Sequence, residues 1–98
     1  MSIELRPEVQ AFAESMERKL RKNEHKGGWK NEKPAALFIR AAEEFKEADE
    51  AVSLFLFDGR NGLSVDATGS LERMMDELVD VSNFLMMVAD VCGGLEHE

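Results

Sequence analysis

The segment from residue 70 to residue 92 restricts the fold of this chain more than any other. Read as a helix, it places its polar positions on one narrow strip: Glu72, Asp76, Asn83 and Asp90. Leucine, methionine and valine cover most of the remaining circumference. A helix that is apolar nearly all round must be covered nearly all round. The segment therefore predicts a helix inside a bundle.

Two further segments have the periodicity of amphipathic helices, over residues 7–24 and 34–57. Pro7 and Pro34 each suit the first turn of a helix, where a backbone N–H has no intrahelical partner. Residues 58–69 are rich in Gly, Asp and Asn and predict a loop. No segment has the period of a strand. The sequence therefore predicts an all-α chain of three helices.

Capping residues indicate where these helices begin and end. Gly27 and Gly28 interrupt the helical pattern after the first segment, and Gly93 with Gly94 follow the third. Ser70 is a favourable N-cap, and acidic residues follow it in the next two turns. The third helix is therefore expected over residues 70–92.

A chain of 98 residues forms one domain, residues 1–98, with a small core. Two companion helices can hardly enclose a third that is apolar on most sides. We therefore expect a helical-bundle oligomer, a homodimer or homotetramer, with the methionine pairs of the third helix packed inside it. Cys92 is the only cysteine and is expected to pack as a small apolar side chain rather than act as a reactive thiol.

Charge and hydropathy limit the partners and the compartment. The longest apolar run, AVSLFLF at residues 51–57, is far shorter than the roughly 20 residues that span a bilayer. With no leader-like start and a single cysteine, a cytoplasmic protein without membrane contact is expected. The formal net charge of −8 opposes binding to nucleic acid polymers.

The basic residues are concentrated in one region. Seven of the twelve lie between residues 18 and 33, while the rest of the chain is strongly acidic. This distribution favours a small anionic ligand that carries a metal ion. The alternative is a basic helix end, which the helix dipole stabilises without any ligand.

Two pairs of acidic residues interrupt apolar helix faces. In EEFKEADE (residues 43–50), Glu44 and Glu47 share a stripe with alanine and leucine, whereas Glu43 and Glu50 are expected to face solvent and Asp49 is ambiguous. In the third helix, Glu77 and Asp80 lie among methionine and valine. Residues three apart on a helix have Cβ atoms roughly 5–6 Å apart. Four buried carboxylates destabilise a fold unless a cation joins them.

The ligand types indicate which cation fits. Helical carboxylate sites for iron usually add a histidine three residues after a glutamate, and neither His25 nor His97 has that relation. Oxygen ligands alone favour Mg²⁺, with Mn²⁺ as a substitute, completed by water and phosphate oxygens. The alternative is that salt bridges to Arg40 or Arg73 neutralise the acids.

The two acidic motifs resemble those of a known family. EEFKE followed by DELVD resembles the E-x-x-E … E-x-x-D signature of the MazG-like all-α nucleoside triphosphate pyrophosphohydrolases, and KNEHKGGW resembles their small, often phage-encoded members. The resemblance covers about residues 15–92. It implies a dimeric or tetrameric helical bundle that hydrolyses a (d)NTP to (d)NMP and pyrophosphate with Mg²⁺. It carries the metal-ligand role over to four residues: Glu44, Glu47, Glu77 and Asp80.

The resemblance also suggests roles around the metal. A member of the Glu44–Glu47 pair is expected to take a proton from the attacking water. Trp29 either stacks on the base of the substrate or anchors the end of the bundle.

Three further residues are candidates for substrate binding. Lys26 and Lys30 either hold phosphates or are solvated. Asn83, one turn after Asp80, either contacts sugar or phosphate or belongs to the polar strip.

The chain departs from the family pattern at its C-terminus. Many members have a further helix with phosphate-binding basic residues, whereas this chain ends at Glu98. We expect a neighbouring subunit, the basic segment 18–33 or Arg60 to replace that helix, or else the activity to be weak or absent. Two other functions stay open: a non-catalytic nucleotide-binding module and a purely structural helical oligomer.

Overall fold

A computed structural model of the chain describes residues 3–58 and 67–96. Three α-helices occur there: α1 (Pro7–Lys22), α2 (Pro34–Ser53) and α3 (Ala67–Val91). A 3₁₀ turn, Glu24–Lys26, follows α1, and a π-helical segment, Leu54–Asp58, continues α2. These described residues contain no strand, so the predicted all-α class is confirmed.

Prolines begin the first two helices as the sequence predicts. Arg6 and Lys33, the residues before Pro7 and Pro34, have extended backbones, and neither helix start has a side-chain cap. Proline fixes φ near its helical value and lacks the N–H that would otherwise remain unpaired at this position.

Gly93 ends α3 with a Schellman motif. Its φ of 81° lies in the left-handed region, where glycine has no steric penalty. The N–H of Gly93 donates to the carbonyl of Asp90 at 3.0 Å, and the N–H of Gly94 donates to the carbonyl of Ala89 at 2.8 Å. The helix thus stops at the predicted glycine pair: its last residue is Val91, and Gly93 follows two residues later.

Two predicted boundaries need correction. α1 ends at Lys22, because the chain tightens into a 3₁₀ turn before Gly27. α3 begins at Ala67, so Ser70 lies inside the helix and is not its N-cap. Alanine favours the earlier start, and serine inside a helix costs only a few tenths of a kcal/mol, about 0.5 at most.

The predicted loop over residues 58–69 is only partly testable. Residues 59–66, including Arg60, lie outside the described residues. Asp58 belongs to the π-helical segment and residues 67–69 belong to α3, so the loop prediction is wrong at both of its ends. The apolar residues before Asp58 keep the backbone helical because this segment packs on α3.

The core lies between α2 and α3. Leu37, Ala41, Ala48 and Ala51 of α2 and Val79 of α3 are its buried apolar residues. α1 contributes no buried residue, and its contacts with α3 are sparser than those of α2. Small side chains at the α2 surface let the two backbones approach closely.

Large apolar side chains remain exposed outside this core. Those with about half of their surface in solvent or more include Phe38, Ile39 and Phe45 of α2, together with Leu56 and Phe57. Cys92 is also exposed in the single chain, so its expected packing inside an oligomer stays a prediction. No helix in the described ranges has an apolar stretch long enough to cross a membrane.

The alanines of α2 supply a test of the packing. We expect Ala48→Leu to lower the free energy of unfolding by about 1–3 kcal/mol, because the α2–α3 contact has no space for three more carbons. Ala42→Leu, at an exposed position of the same helix, is the matched control. Urea unfolding followed by circular dichroism measures both, and equal stability of the two variants would contradict the packing.

Candidate functional site

Three acidic side chains meet where α2 packs on α3. Glu44 of α2 and Glu77 and Asp80 of α3 each place one carboxylate oxygen within 4.8 Å of the others, and all three are half-buried. We call this group the acid triad. Glu44 lies between Ala41 and Ala48 on the α2 face that contacts α3. The close backbone approach at these alanines therefore brings Glu44 to the two acids of α3.

Glu47, the fourth predicted ligand, lies beside the triad rather than within it. Its side chain is exposed, which corrects the expectation that it interrupts a buried face. Three residues advance a helix by slightly less than one turn, which moves Glu47 to the edge of the stripe. Its carboxyl group still contributes, through a side-chain hydrogen bond and through its charge, to the raised pKa of Glu44.

Burial and mutual repulsion raise the pKa of two members of the triad, Glu44 and Glu77. Partial burial is the main cause that raises the pKa of Glu44 to about 7, and the hydrogen bond and charge of Glu47 add to it. Burial likewise raises the pKa of Glu77, with the charges of Glu47 and Asp80 adding to the effect. A nearby positive charge would reverse both shifts.

One oxygen of the triad is buried without a partner. Glu77 Oε2 is inaccessible to solvent and accepts no hydrogen bond from the described residues. Buried carboxylate oxygens in folded proteins nearly always have a partner. This observation is independent of the spacing of the acids. With oxygen as the only ligand atom, the group fits a hard divalent cation such as Mg²⁺ or Mn²⁺.

Lys19 of α1 supplies the nearest positive charge. Its Nζ lies 2.6 Å from Asp76 Oδ1 and 3.2 Å from Asp80 Oδ1. Only 18% of the Lys19 side chain is exposed. Burial alone would lower the pKa of Lys19, but the hydrogen bonds to Asp76 and Asp80 outweigh it and the net shift is upward. Lys19 therefore remains charged at neutral pH.

Arg40 does not neutralise the triad, contrary to one alternative from the sequence. Its guanidinium lies 4.9 Å from the centroid of the Phe84 ring and 3.7 Å from Glu43 Oε1. Arg73 affects the triad only through its charge, which acts against the raised pKa of Glu77. Sequence reasoning did not single out Lys19 for this role, and its position in the basic segment 18–33 was the only signal available.

A cleft of about 800 Å³ opens beside the triad. Small-molecule sites commonly have volumes of about 300–1,000 Å³. Glu44 and Asp80 contribute to its lining, together with three of the predicted substrate-binding residues: Lys26, Trp29 and Asn83. The structure thus brings part of the triad and most of the predicted substrate contacts to one concave surface.

Trp29 is attached to the C-terminal part of α3. Its Nε1 donates a 2.9 Å hydrogen bond to Asp90 Oδ2, and Asp90 has only 6% of its side chain exposed. The bond uses the single N–H of the indole, so the ring offers no donor to the cleft. Trp29 therefore has the anchoring role that one sequence alternative assigned to it, and it also lines the cleft.

Lys30, a predicted phosphate contact, lies against Asp90 and Trp29. Its ammonium pairs with Asp90 Oδ2, and its Nζ lies 5.5 Å from the centroid of the Trp29 ring. Lys30 is not part of the cleft lining, whereas Lys26 is exposed and lines it. The predicted phosphate contact is therefore better placed at Lys26.

Asn83 is buried in the contact of α1 with α3. Only 4% of the residue is exposed, and its Nδ2 donates to the carbonyl of Met16 at 3.3 Å. Its Oδ1 has no partner among the described residues. The side chain faces the interior and the cleft wall rather than an open polar strip.

Comparisons of the chain with protein-family models, curated proteins and solved structures gave no match. The resemblance to the MazG-like family therefore rests on the two acidic motifs and the segment KNEHKGGW alone.

The raised pKa of Glu44 predicts how stability changes with pH. Its value in the folded protein, about 7, exceeds the ordinary 4.5, so its contribution is fully present below pH 4.5 and is lost as the pH rises through 7. In metal-free buffer, we expect the Tm of the wild type minus the Tm of Glu44→Gln to decrease as the pH is raised from about 5 to about 8. Thermal unfolding followed by circular dichroism measures this difference.

Glu43→Gln is the matched control, because Glu43 is exposed and adjacent to Glu44. Its Tm should follow the wild type across the same pH range. A constant difference between wild type and Glu44→Gln would contradict the proposed electrostatics.

The contact between Trp29 and Asp90 can be followed by fluorescence, since Trp29 is the only tryptophan. We expect Asp90→Ala to shift the emission maximum to longer wavelength, because the indole loses its anchor and gains water. Asp49→Ala, an exposed acid on α2, should leave the spectrum unchanged. Identical spectra for Asp90→Ala and wild type, with helicity preserved, would show that Asp90 does not position the ring.

Proposed function

We propose that this protein is a Mg²⁺-dependent nucleoside triphosphate pyrophosphohydrolase, acting on free nucleotides in the cytoplasm and releasing (d)NMP and pyrophosphate. The observation that carries the proposal is the convergence of the acid triad with a cleft of nucleotide size. The site combines carboxylates from two helices with a cleft that contains an aromatic ring and a lysine. Such a site suits a ligand that combines a base, phosphates and a cation. The resemblance of the E-x-x-E … E-x-x-D motifs suggests the reaction class.

The acid triad would hold the cation, with Glu47 next to it. The unpartnered Oε2 of Glu77 supports this assignment. When bound, Mg²⁺ or Mn²⁺ supplies charge neutralisation at the phosphates and lowers the pKa of coordinated water.

The Glu44–Glu47 pair is the candidate general base. Burial and the neighbouring Glu47 raise the pKa of Glu44 to about 7, and a carboxylate with such a pKa is a stronger base than usual and still deprotonates at neutral pH. Glu47 is the more exposed member and is therefore the more accessible to water. These properties agree with the role expected of this pair from the sequence.

The cleft residues would bind the rest of the nucleotide. The ring of Trp29 offers a stacking surface, since its N–H is engaged by Asp90. Lys26 lines the same cleft and would pair with phosphate oxygens. Recognition by a ring face alone is compatible with several bases, so any strict base preference would need other residues.

Self-association is part of the proposal. The exposed phenylalanines of α2 (Phe38 and Phe45) and half-exposed leucines of α3 (Leu71 and Leu85) leave large apolar surfaces uncovered in a single chain. Apolar surface of this kind marks association sites in soluble proteins. A second copy of the chain, in a homodimer or homotetramer, would cover them.

A structural role is the second candidate, and one contact favours it. Lys19 already pairs with Asp76 and Asp80, so part of the acidic charge is neutralised within the chain. If the acids served only to attach α1 to α3, the melting temperature would not respond to Mg²⁺, Mn²⁺ or nucleotide.

Hydrolysis of a dNTP panel with Mg²⁺ tests the proposed activity. We expect pyrophosphate and nucleoside monophosphate as products, and a loss of about 100-fold or more in kcat for Glu77→Gln, because the cation loses a ligand. Glu43→Gln retains full activity as the matched control, since Glu43 faces solvent away from the triad. Release of orthophosphate alone, or equal rates for both variants, would refute the proposal.

A further inference from the structure

Lys19 joins the peripheral helix to the acidic site. It comes from α1, which has no buried residue, and its Nζ lies between two carboxylates of α3 that are four residues apart, Asp76 and Asp80. The two acids differ in exposure: 61% of the Asp76 side chain is in solvent, against 23% for Asp80. The lysine thus bridges an exposed acid and a member of the acid triad.

The position of Lys19 brings it into competition with a cation. Asp80 belongs to the triad, whose ligand oxygens lie within 4.8 Å of one another, and Asp80 Oδ1 is 3.2 Å from Lys19 Nζ. A divalent ion among these oxygens would therefore lie within a few ångströms of the ammonium group, and like charges at such distances repel strongly. Asp76, which is not a member of the triad, offers the lysine another partner at 2.6 Å.

We propose that Lys19 is an internal counter-ion, which partly neutralises Asp80 in the cation-free protein and withdraws from it toward Asp76 when a divalent cation binds. The inference rests on the proposed function, because it requires the triad to bind a cation. Lys19 also lines the cleft, whereas Asp76 does not, so movement toward Asp76 takes the ammonium away from the cation. Lys19 is in this sense a positioning residue, which sets the affinity of the site for its cation.

The proposal makes an unusual prediction for a residue beside a metal site: removing it strengthens metal binding. A charge within about 4–6 Å changes the proton affinity of a carboxylate by ~1–3 pKa units. By the same electrostatics, we expect Lys19→Met to bind Mn²⁺ about tenfold more tightly than the wild type. The metal-free variant should melt at a lower temperature, since Asp80 loses its partner.

The experiment titrates Mn²⁺ into the protein without nucleotide and detects free Mn²⁺ by electron paramagnetic resonance. Lys22→Met is the matched control, because it removes the same charge from the same helix at an exposed position. Lys19→Arg keeps the positive charge and should retain the affinity of the wild type. Circular dichroism before each titration establishes that the variant is folded, and Lys19→Arg tests the charge if Lys19→Met does not fold.

Each outcome has a separate meaning. Tighter binding by Lys19→Met alone supports the counter-ion role. If the wild type binds Mn²⁺ through Glu77 and Lys19→Met binds it equally or less tightly, the role of Lys19 is overturned and the proposed function stands. If Lys19→Met does not fold, the test depends on Lys19→Arg. A Mn²⁺ affinity of Lys19→Arg that differs from that of the wild type then overturns the counter-ion role of Lys19. Absence of binding in the wild type and in every folded variant overturns the proposed function and this inference with it.

Discussion

The close packing of α2 on α3 is the contact on which the rest of this structure depends. Ala41, Ala48 and Ala51 are almost fully buried in it, and their small size permits an approach that leucine at those positions would prevent. Glu44 lies on the same face. The packing that gives this small chain its core therefore also forces a carboxylate against two acids of α3.

The outcome is a conflict between packing and electrostatics. Apolar burial stabilises the helix pair, while burial and the repulsion between the acids raise the pKa of Glu44 and of Glu77. Lys19 relieves this conflict at Asp80, whereas Glu77 keeps a buried oxygen without a partner. A protein that needed only stability would gain from apolar residues at these positions. A cation bound among these acids would remove the repulsion between them.

Much of this arrangement was predictable from local sequence patterns. Proline at residues 7 and 34 and the glycines after α3 mark helix boundaries because they act through their own backbone geometry. Glu44, Glu77 and Asp80 were predicted together because helical periodicity shows which residues share an apolar face. Glu47 was predicted to be buried and is exposed, since it lies at the edge of that face, where periodicity cannot separate inside from outside.

The contacts between distant segments were not predictable in this way. Lys19 with Asp80 and Trp29 with Asp90 join residues about sixty positions apart, and no periodic pattern within one helix records which part of another helix lies opposite. The start of α3 was missed for a different reason. Ser70 is a good cap, but a helix that already begins at Ala67 accommodates serine at little cost.

A crystal grown with Mn²⁺ and examined by anomalous diffraction tests the central claim most directly. The account predicts one anomalous peak with carboxylate oxygens of Glu44, Glu77 and Asp80 at coordination distance, about 2.1 Å, as for a small hard cation. A map with no peak among these oxygens at saturating Mn²⁺, in which Lys19 still contacts Asp80 and Glu77 remains without a partner, would contradict it.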